Sequence, residues 1–193
     1  MSVSLKKNEK LSLTKNNAGL TKVFMGLGWD AAEGNFLQKL LGLEPEAIDL
    51  DASCLMFDKD KKLIDTVWFR QLKSKDNSVQ HTGDNLTGDG DGDDEVITVD
   101  LTKLNSKVTT MVFVITSFGG QSFKKIQSAN CRLVNMTDNQ EIAKYTLSDM
   151  SDNTAQIMAK VYKENNEWIM QAIGHATDGR VQYLLIPEIE KFL

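Results

Sequence analysis

The feature that most constrains the fold is a repeated alternation of apolar and polar residues with a period of two. β-branched and aromatic residues are enriched in these runs, and Gly, Asn, Asp or Ser residues bound them. Such alternation is typical of strands with one buried face, and many short strands favour two packed sheets over a parallel α/β fold. We therefore predict an all-β, two-sheet β-sandwich with short peripheral helices, formed as a single domain over residues 1–193. The candidate strands are 3–5, 11–13, 23–30, 48–57, 62–71, 96–101, 108–116, 129–135, 141–147, 156–163 and 167–174.

Two segments depart from this period. In residues 35–43 the apolar side chains follow helical spacing, and the tail 180–193 does so more loosely around Pro187. We expect the first to be a short helix inserted in a loop and the second to be a terminal helix lying on the sandwich. Asn165 and Asn166, between the last two candidate strands, predict a hairpin turn.

The composition excludes several classes of protein. Hydrophobic residues make up 41% and charged residues 25% of the chain, which is ordinary for a globular protein. Residues 1–15 lack the apolar run of a signal peptide, and no stretch approaches the roughly 18 apolar residues of a membrane span, so we expect a cytoplasmic protein. Cys54 and Cys131 have no Cys-x-x-Cys partner, which favours buried small hydrophobic residues over a disulfide, a thiolate metal site or a redox pair.

The most unusual segment is residues 83–95, here called the acidic loop, which hold six acidic side chains, one asparagine and four glycines. Like charges at such spacing repel one another, and no Lys or Arg lies in residues 76–102 to neutralise them. Calcium suits this chemistry because it takes six to eight oxygen ligands from carboxylates, amides and backbone carbonyls in flexible geometry. The alternative is a solvated loop whose acids only keep the protein soluble.

A second source of ligands lies in residues 48–54. On a strand, Asp49, Asp51 and Ser53 point to one face, while the apolar residues between them point to the other. Acids at such positions also guard strand edges against pairing, which is the alternative interpretation. Counting from Asp84 or from Asp89 does not reproduce an EF-hand. The candidate metal ligands are Asp30, Asp49, Asp51, Asp84, Asn85, Gly88, Asp91, Asp93, Asp94 and Glu95.

Four ordered motifs resemble the hallmarks of the TerD family: Gly26-Leu27-Gly28-Trp29-Asp30, Asp49-Leu50-Asp51-Ala52-Ser53, His81-Thr82-Gly83-Asp84-Asn85-Leu86-Thr87-Gly88 and Gly92-Asp93-Asp94-Glu95. The resemblance covers essentially the whole chain and is greatest to the TerZ branch. It implies a β-sandwich with two adjacent Ca²⁺ ions held by the acidic loop and the Asp-rich strand, in a bacterial system of resistance to tellurite, phage and colicins. The chain departs from the family at residues 68–71, where many members carry an Asn pair, so no ligand role follows for Arg70 or Gln71.

Two functions compete for these residues. The first is a calcium-dependent binding or scaffold module for other proteins of the same stress system, with no enzymatic activity. The second is a metal-dependent phosphoesterase, which would need cationic groups near its ions, whereas the acidic loop has few nearby in sequence. His81 precedes the loop and is either a structural residue or a hydrogen-bond partner of a ligand carboxylate.

The remaining features point to no further chemistry. The loop lacks the Lys-Ser/Thr ending of a P-loop, and its charge would repel phosphates, so nucleic acid is not an expected partner. The lysines near the N-terminus form either a solvated edge or a basic face that allows peripheral membrane association; they are Lys6, Lys7, Lys10, Lys15 and Lys22.

Overall fold

The computed structural model describes residues 2–17, 19–31, 49–83, 92–147 and 151–193. Its strands are β1 (Val3–Ser4), β2 (Lys10–Ser12), β3 (Lys22–Ala31), β4 (Leu50–Phe57), β5 (Leu63–Val67), β6 (Val79–His81), β7 (Glu95–Asp100), β8 (Thr110–Ser117), β9 (Ile126–Asn135), β10 (Glu141–Leu147), β11 (Ala155–Glu164) and β12 (Glu167–Thr177). Two short α-helices, α1 (Leu13–Asn16) and α2 (Ile186–Ile189), accompany 3-10 turns at Phe123–Lys125, Gln182–Leu185 and Glu190–Phe192. None of these helices has the length and apolar character that a membrane span requires.

The strands form two sheets. Sheet A has the order β1-β10-β9-β3-β7-β6, and sheet B has the order β2-β12-β11-β8-β4-β5. Within the described strands, β1 and β10 pair in parallel and the other neighbours pair antiparallel. The all-β sandwich with short peripheral helices that the alternation predicted is therefore confirmed.

The main core lies between the two sheets. Sheet A contributes Met25, Leu27 and Leu133 to it, and sheet B contributes Leu50 and Phe113, all with no solvent exposure. Each of these residues alternates with an outward-facing neighbour, so the period of two in the sequence reproduces the inward and outward faces of the strands.

A second apolar cluster lies on the outer face of sheet B. Leu55 and Val114 contribute to this cluster from the strands, and Leu185 and Ile189 of the C-terminal segment cover it. The cluster forms because Leu55 and Phe57 of β4 and Val112 and Val114 of β8 add apolar side chains on the outer face, which then needs a cover of its own. The predicted helical tail lying on the sandwich is confirmed, although it consists of α2 between two 3-10 turns.

Local details follow the sequence with a few exceptions. Asn165 and Asn166 have φ values of 49° and 65°, which are the left-handed values of a two-residue hairpin turn. Leu13 begins α1 instead of continuing a strand, because Ser12 caps the helix by accepting from the Lys15 N–H. The three-residue strand β6 was not predicted from the sequence. The helix predicted over residues 35–43 lies outside the described residues.

Both cysteines are free and fully buried. Burial raises the pKa of the Cys54 thiol far above its usual range and raises the pKa of Cys131 to about 12. Since the thiolate is the reactive form, the prediction that these residues serve as small hydrophobic core groups is confirmed.

Candidate metal centre

The described C-terminal end of the acidic loop and the Asp-rich strand meet in the sandwich. β7 pairs with β3 through Glu95 and Leu27, and with β6 through Ile97 and His81. The link to sheet B is Glu95, whose Oε2 accepts a hydrogen bond of 2.6 Å from the Ala52 N–H of β4. Two segments far apart in sequence, both predicted to carry metal ligands, are thus joined by a side chain within the core.

Asp49 and Asp51 lie at the start of β4. Leu50 and Ala52 belong to the main core, so Asp51 points to the outer face of sheet B, opposite Thr116 of β8. Asp51 is only 4% exposed, and the Oδ1 of Asp49 and the Oδ2 of Asp51 are closed to solvent. The predicted alternation of this strand is confirmed. Removing these two carboxylate oxygens from water is costly unless positive charge or hydrogen-bond donors compensate for it.

The side chains of Glu95 and His81 are fully buried and lie close to each other, Glu95 as the last residue of the acidic loop and His81 two residues before its start. The His81 Nδ1 accepts from the Gly83 N–H at 3.1 Å, so in the neutral ring the proton resides on Nε2. That Nε2 faces the Glu95 Oε2 at 3.3 Å, although it is not aligned for a good hydrogen bond. His81 thus lies next to a candidate ligand carboxylate but does not form the hydrogen bond that one of its two predicted roles requires, so the choice between them stays open.

Asp93 lies over the outer face of sheet A, in a space that only glycine leaves open. A Cβ atom on Gly26 would stand 2.1 Å from the Asp93 Oδ2. The carboxylate is held by Arg132 of β9, which donates from Nε to Oδ1 at 2.7 Å and from Nη2 to Oδ2 at 2.8 Å. These hydrogen bonds are the main reason that the pKa of Arg132 is raised. The result is a bidentate ion pair that fixes the C-terminal end of the acidic loop.

Asp94 is held by hydrogen bonds to β3 of sheet A. Its Oδ2 accepts from the Trp29 N–H at 2.7 Å, and its own N–H donates to the Leu27 carbonyl at 2.9 Å. Gly28 again makes the close approach possible, because an added Cβ would lie 2.9 Å from the Gly92 carbonyl oxygen. The glycines of the Gly-Leu-Gly-Trp-Asp motif thus make room for the segment that precedes β7.

Sequence reasoning missed Arg132. The absence of Lys and Arg from residues 76–102 suggested that the acids have no cationic partner. The folded chain brings Arg132 to Asp93 because β9 pairs with β3 at Gly26, directly beneath the carboxylate. No local signal identifies this contact, since it depends on the register of two strands that lie far apart in sequence.

The described acids are spread over both sheets. Asp93 lies on the outer face of sheet A and Asp51 on the outer face of sheet B, and packed sheets stand about 10 Å apart. Two ligands of one Ca²⁺ ion lie within about 5 Å of each other, because each Ca–O bond measures about 2.3–2.6 Å. In this arrangement a single ion does not reach both carboxylates, while Glu95 lies between the two sheets.

The remaining candidate ligands are described only in part. Asp84, Asn85, Gly88 and Asp91 lie outside the described residues, and of Asp30 only the backbone, on β3, is described. In the described part of the chain, no group of three His, Cys, Asp or Glu side chains is placed to hold a metal ion. The ligand set therefore stays a prediction. Asp49 and Asp51 fit it through the carboxylate oxygen that each of them holds away from solvent.

Other groups considered from the sequence have structural contacts. His175 Nε2 lies 3.1 Å from Glu188 Oε2 on the C-terminal segment. Gln71 donates to Asp65 Oδ1 at 2.9 Å. The lysines near the N-terminus are exposed, and Lys22 is 3.7 Å from Asp100 Oδ2.

Comparisons with known proteins agree with this architecture. The chain is 43% identical over 178 residues to the tellurium resistance protein TerZ of Serratia marcescens, a match that covers 92% of each chain. It is 42% identical over 189 residues to the stress response protein SCP2 of Bacillus subtilis (strain 168), covering 92% of this chain and 94% of that one.

Two solved structures share the fold. A protein of unknown function, SAV2460, superposes with a TM-score of 0.69 at 21% identity, covering 86% of this chain and 95% of its own. A homologue of telluride resistance protein (TerD) from Streptomyces coelicolor A3(2) superposes with a TM-score of 0.67 at 17% identity, covering 87% and 96%. A family model described as TerD domain matches residues 1–186. The chain therefore belongs to the TerD family.

Proposed function

We propose that this chain is a cytoplasmic tellurium-resistance and stress-response protein that binds Ca²⁺ and acts by docking to other proteins of the same system. The resistance and stress roles are inferred from TerZ and SCP2, whose sequences match over more than nine-tenths of this chain. Calcium binding is inferred from the acidic residues and their placement in the fold.

The observation that carries the proposal is that Asp49 and Asp51, at the start of β4, each hold a carboxylate oxygen out of contact with solvent. Their solvent-inaccessible oxygens are hard, anionic ligands of the kind that Ca²⁺ prefers. Glu95 ties the end of the loop to the same strand through the Ala52 N–H. The residues proposed to hold the ions are Asp49 and Asp51, with Asp30 and with Asp84, Asn85, Gly88 and Asp91 of the loop.

Asp93, Asp94 and Glu95 have a different part in this proposal. Arg132 holds Asp93, the Trp29 N–H holds Asp94, and the Ala52 N–H holds Glu95, so each carboxylate has given up part of its capacity to accept. A carboxylate has about four lone-pair sites, which leaves each of them able to assist an ion. Their first role is to fix the end of the loop. Bound calcium supplies positive charge among the remaining acids.

Calorimetric titration of the purified protein with CaCl₂ and with MgCl₂ tests the proposal. We expect heat and a rise in thermal stability with calcium and a much weaker response with magnesium, which demands octahedral geometry and retains its water. At a calcium concentration 100 times its Kd, the free energy of unfolding rises by about 2.7 kcal/mol. Absence of both the heat and the stabilisation refutes calcium binding.

One observation favours the alternative, a metal-dependent phosphoesterase. The fold brings two cationic or potentially cationic side chains, Arg132 and His81, next to the acidic segment, as such chemistry needs. Neither is available to a substrate, because Arg132 already donates two hydrogen bonds to Asp93 and His81 is only 5% exposed. We therefore favour the binding function. Calcium-dependent hydrolysis of p-nitrophenyl phosphate, abolished in Asp51→Ala, would reverse this choice.

A further inference from the structure

Aromatic side chains from three separate segments meet on the surface beside the candidate metal centre. Trp68 and Phe69 follow β5, Phe118 follows β8, and Tyr183 belongs to the C-terminal segment. The ring centroids of Trp68 and Phe69 are 4.9 Å apart, those of Phe69 and Phe118 5.7 Å, and those of Trp68 and Tyr183 5.9 Å. Phe118 and Tyr183 remain 40% and 44% exposed. We call these four residues with Arg70 the aromatic surface.

The guanidinium of Arg70 lies across this group. Its guanidinium carbon is 5.1 Å from the ring centroid of Phe69, 5.7 Å from that of Trp68 and 5.8 Å from that of Phe118. The side chain is exposed, and no described carboxylate forms an ion pair with it. Stacking on aromatic rings restrains a guanidinium while its N–H edge stays available, so Arg70 is prepared to bind a carboxylate with two hydrogen bonds.

A second arginine is bound to the residue that follows Phe118. Arg180 Nη2 donates to the Gly119 carbonyl oxygen at 2.6 Å, directly after Phe118 in the chain. The surface thus combines exposed apolar area with two cationic groups, and neither Trp68–Arg70 nor Phe118–Gly119 contains an acid. Exposed apolar side chains bordered by charge are typical of sites for protein recognition.

The aromatic surface is connected by hydrogen bonding to the candidate metal centre. The Phe118 N–H donates to the Asp49 carbonyl oxygen at 3.2 Å, and the preceding Ser117 pairs with Leu50 in the sheet. A change in the position of Asp49 on ion binding therefore bears directly on Phe118. Trp68 follows β5, the strand that pairs with β4 on its other side.

We propose that the aromatic surface docks an acidic peptide segment of a partner protein. A partner carboxylate binds Arg70, and an adjacent apolar side chain of the partner packs on Phe118 and Tyr183. The inference rests on the proposed function, for which it specifies the surface and the chemistry of the partner. A peptide fits better than a nucleic acid because the aromatic rings contact each other edge to face and so leave few ring faces for bases to stack on. The carboxylates of Asp49 and Asp51 beside Phe118 also repel phosphates.

The test is selection from a phage library of random decapeptides on the purified wild-type protein in CaCl₂. Phage that also bind an Arg70→Gln, Phe118→Ser double variant are removed beforehand. We expect the recovered peptides to be enriched in Asp or Glu beside a large apolar residue. One recovered peptide is then synthesised and titrated against each single variant, with at least a tenfold loss of affinity expected for Arg70→Gln and for Phe118→Ser.

Met136→Ser is the matched control, because Met136 is also 40% exposed but follows β9 in the opposite sheet. This variant should bind the peptide with wild-type affinity, and melting curves of all variants check that they are folded. The proposal is overturned if the selection yields no acidic enrichment, if Arg70→Gln binds as wild type does, or if oligothymidylate competes for the surface. Calcium affinity is measured in parallel. Failure of the proposed function appears as absent calcium heat, and failure of the docking inference appears as normal calcium heat without peptide binding.

Discussion

Replacing Gly26 by alanine tests whether glycine is needed at this position to hold Asp93. The new Cβ would lie 2.1 Å from Asp93 Oδ2 and 2.2 Å from its Cγ, so the whole carboxyl group must move. An aspartate side chain is too short to move aside and keep both hydrogen bonds to Arg132. The substitution is therefore expected to break the bidentate ion pair between Asp93 and Arg132 without changing either residue.

The expected loss follows from the geometry of this pair. Hydrogen bonds to charged groups contribute about 1.5–3 kcal/mol each to stability, but the Arg132 side chain is 33% exposed and water replaces part of what is lost. We therefore assign about 2–3 kcal/mol to the pair. Alanine is favoured over glycine within a strand by about 0.5–1 kcal/mol, which offsets part of the loss. The net fall in the free energy of unfolding is about 1–2.5 kcal/mol, or roughly 2–10 °C in Tm.

Urea unfolding of four proteins measures this effect: wild type, Gly26→Ala, Asp93→Ala and the double variant. In the Asp93→Ala background the added methyl group has no carboxylate to displace, so Gly26→Ala should be neutral or stabilising there. The coupling between the two sites is the quantity that decides. Equal losses from Gly26→Ala in both backgrounds would show that the glycine is required for some other reason, and the reasoning would fail.

Three further predictions concern the candidate ligands and the buried groups. Asp51→Ala should lower calcium affinity at least tenfold by calorimetry, whereas Asp58→Ala, in the turn after β4, should leave it unchanged; equal affinities contradict the ligand assignment. Asp76 is partly buried, which raises its pKa, but hydrogen bonds from two serines and two backbone N–H groups outweigh this and lower the pKa below 3.8. A lowered carboxyl pKa stabilises the fold above the unfolded value and is lost as the pH falls through the folded one, so Asp76→Asn should lose about 1–3 kcal/mol at pH 7 and progressively less below about pH 4 in urea titrations. Cys54 and Cys131 should resist a thiol reagent such as DTNB until the protein is unfolded, and rapid labelling of the native protein would show that their environment is more open than this structure.

The sequence predicts the strands and the face of each side chain well, because both follow from the period of two. Asp51 is an example: its neighbours Leu50 and Ala52 are apolar, so its outward direction on β4 could be deduced before the fold was known. The contact between Asp93 and Arg132 could not be deduced from the sequence in this way. It requires β9 to lie beside β3 with Gly26 opposite Arg132, and period alone specifies neither the neighbour of a strand nor its register.

The acids looked like one cluster in the sequence, but the fold separates them. Asp93 and Glu95 are two residues apart, a spacing that would place both on the same face of a continuous strand. However, β7 begins only at Glu95, and Asp93 precedes it, where Arg132 holds its carboxylate over the outer face of sheet A. Glu95 points into the core and reaches Ala52. Proximity in sequence was taken as proximity in space, and the start of β7 between the two residues separates them.

These contacts give the acidic loop two fixed ends. His81 holds the Gly83 N–H where the chain leaves β6, and the contacts of Asp93 and Asp94 with sheet A hold it where it enters β7. Under the proposed function, an ion bound by residues 84–91 would have only the segment between these ends to arrange, which would lower the conformational entropy that binding must overcome. Glu95, the last residue of the acidic loop, accepts a hydrogen bond from the Ala52 N–H, next to Asp51. This end of the loop and β4 are therefore held together without an ion. Under the proposed function, the contacts that reduce the number of acids available as ligands are also those that position the remaining ones.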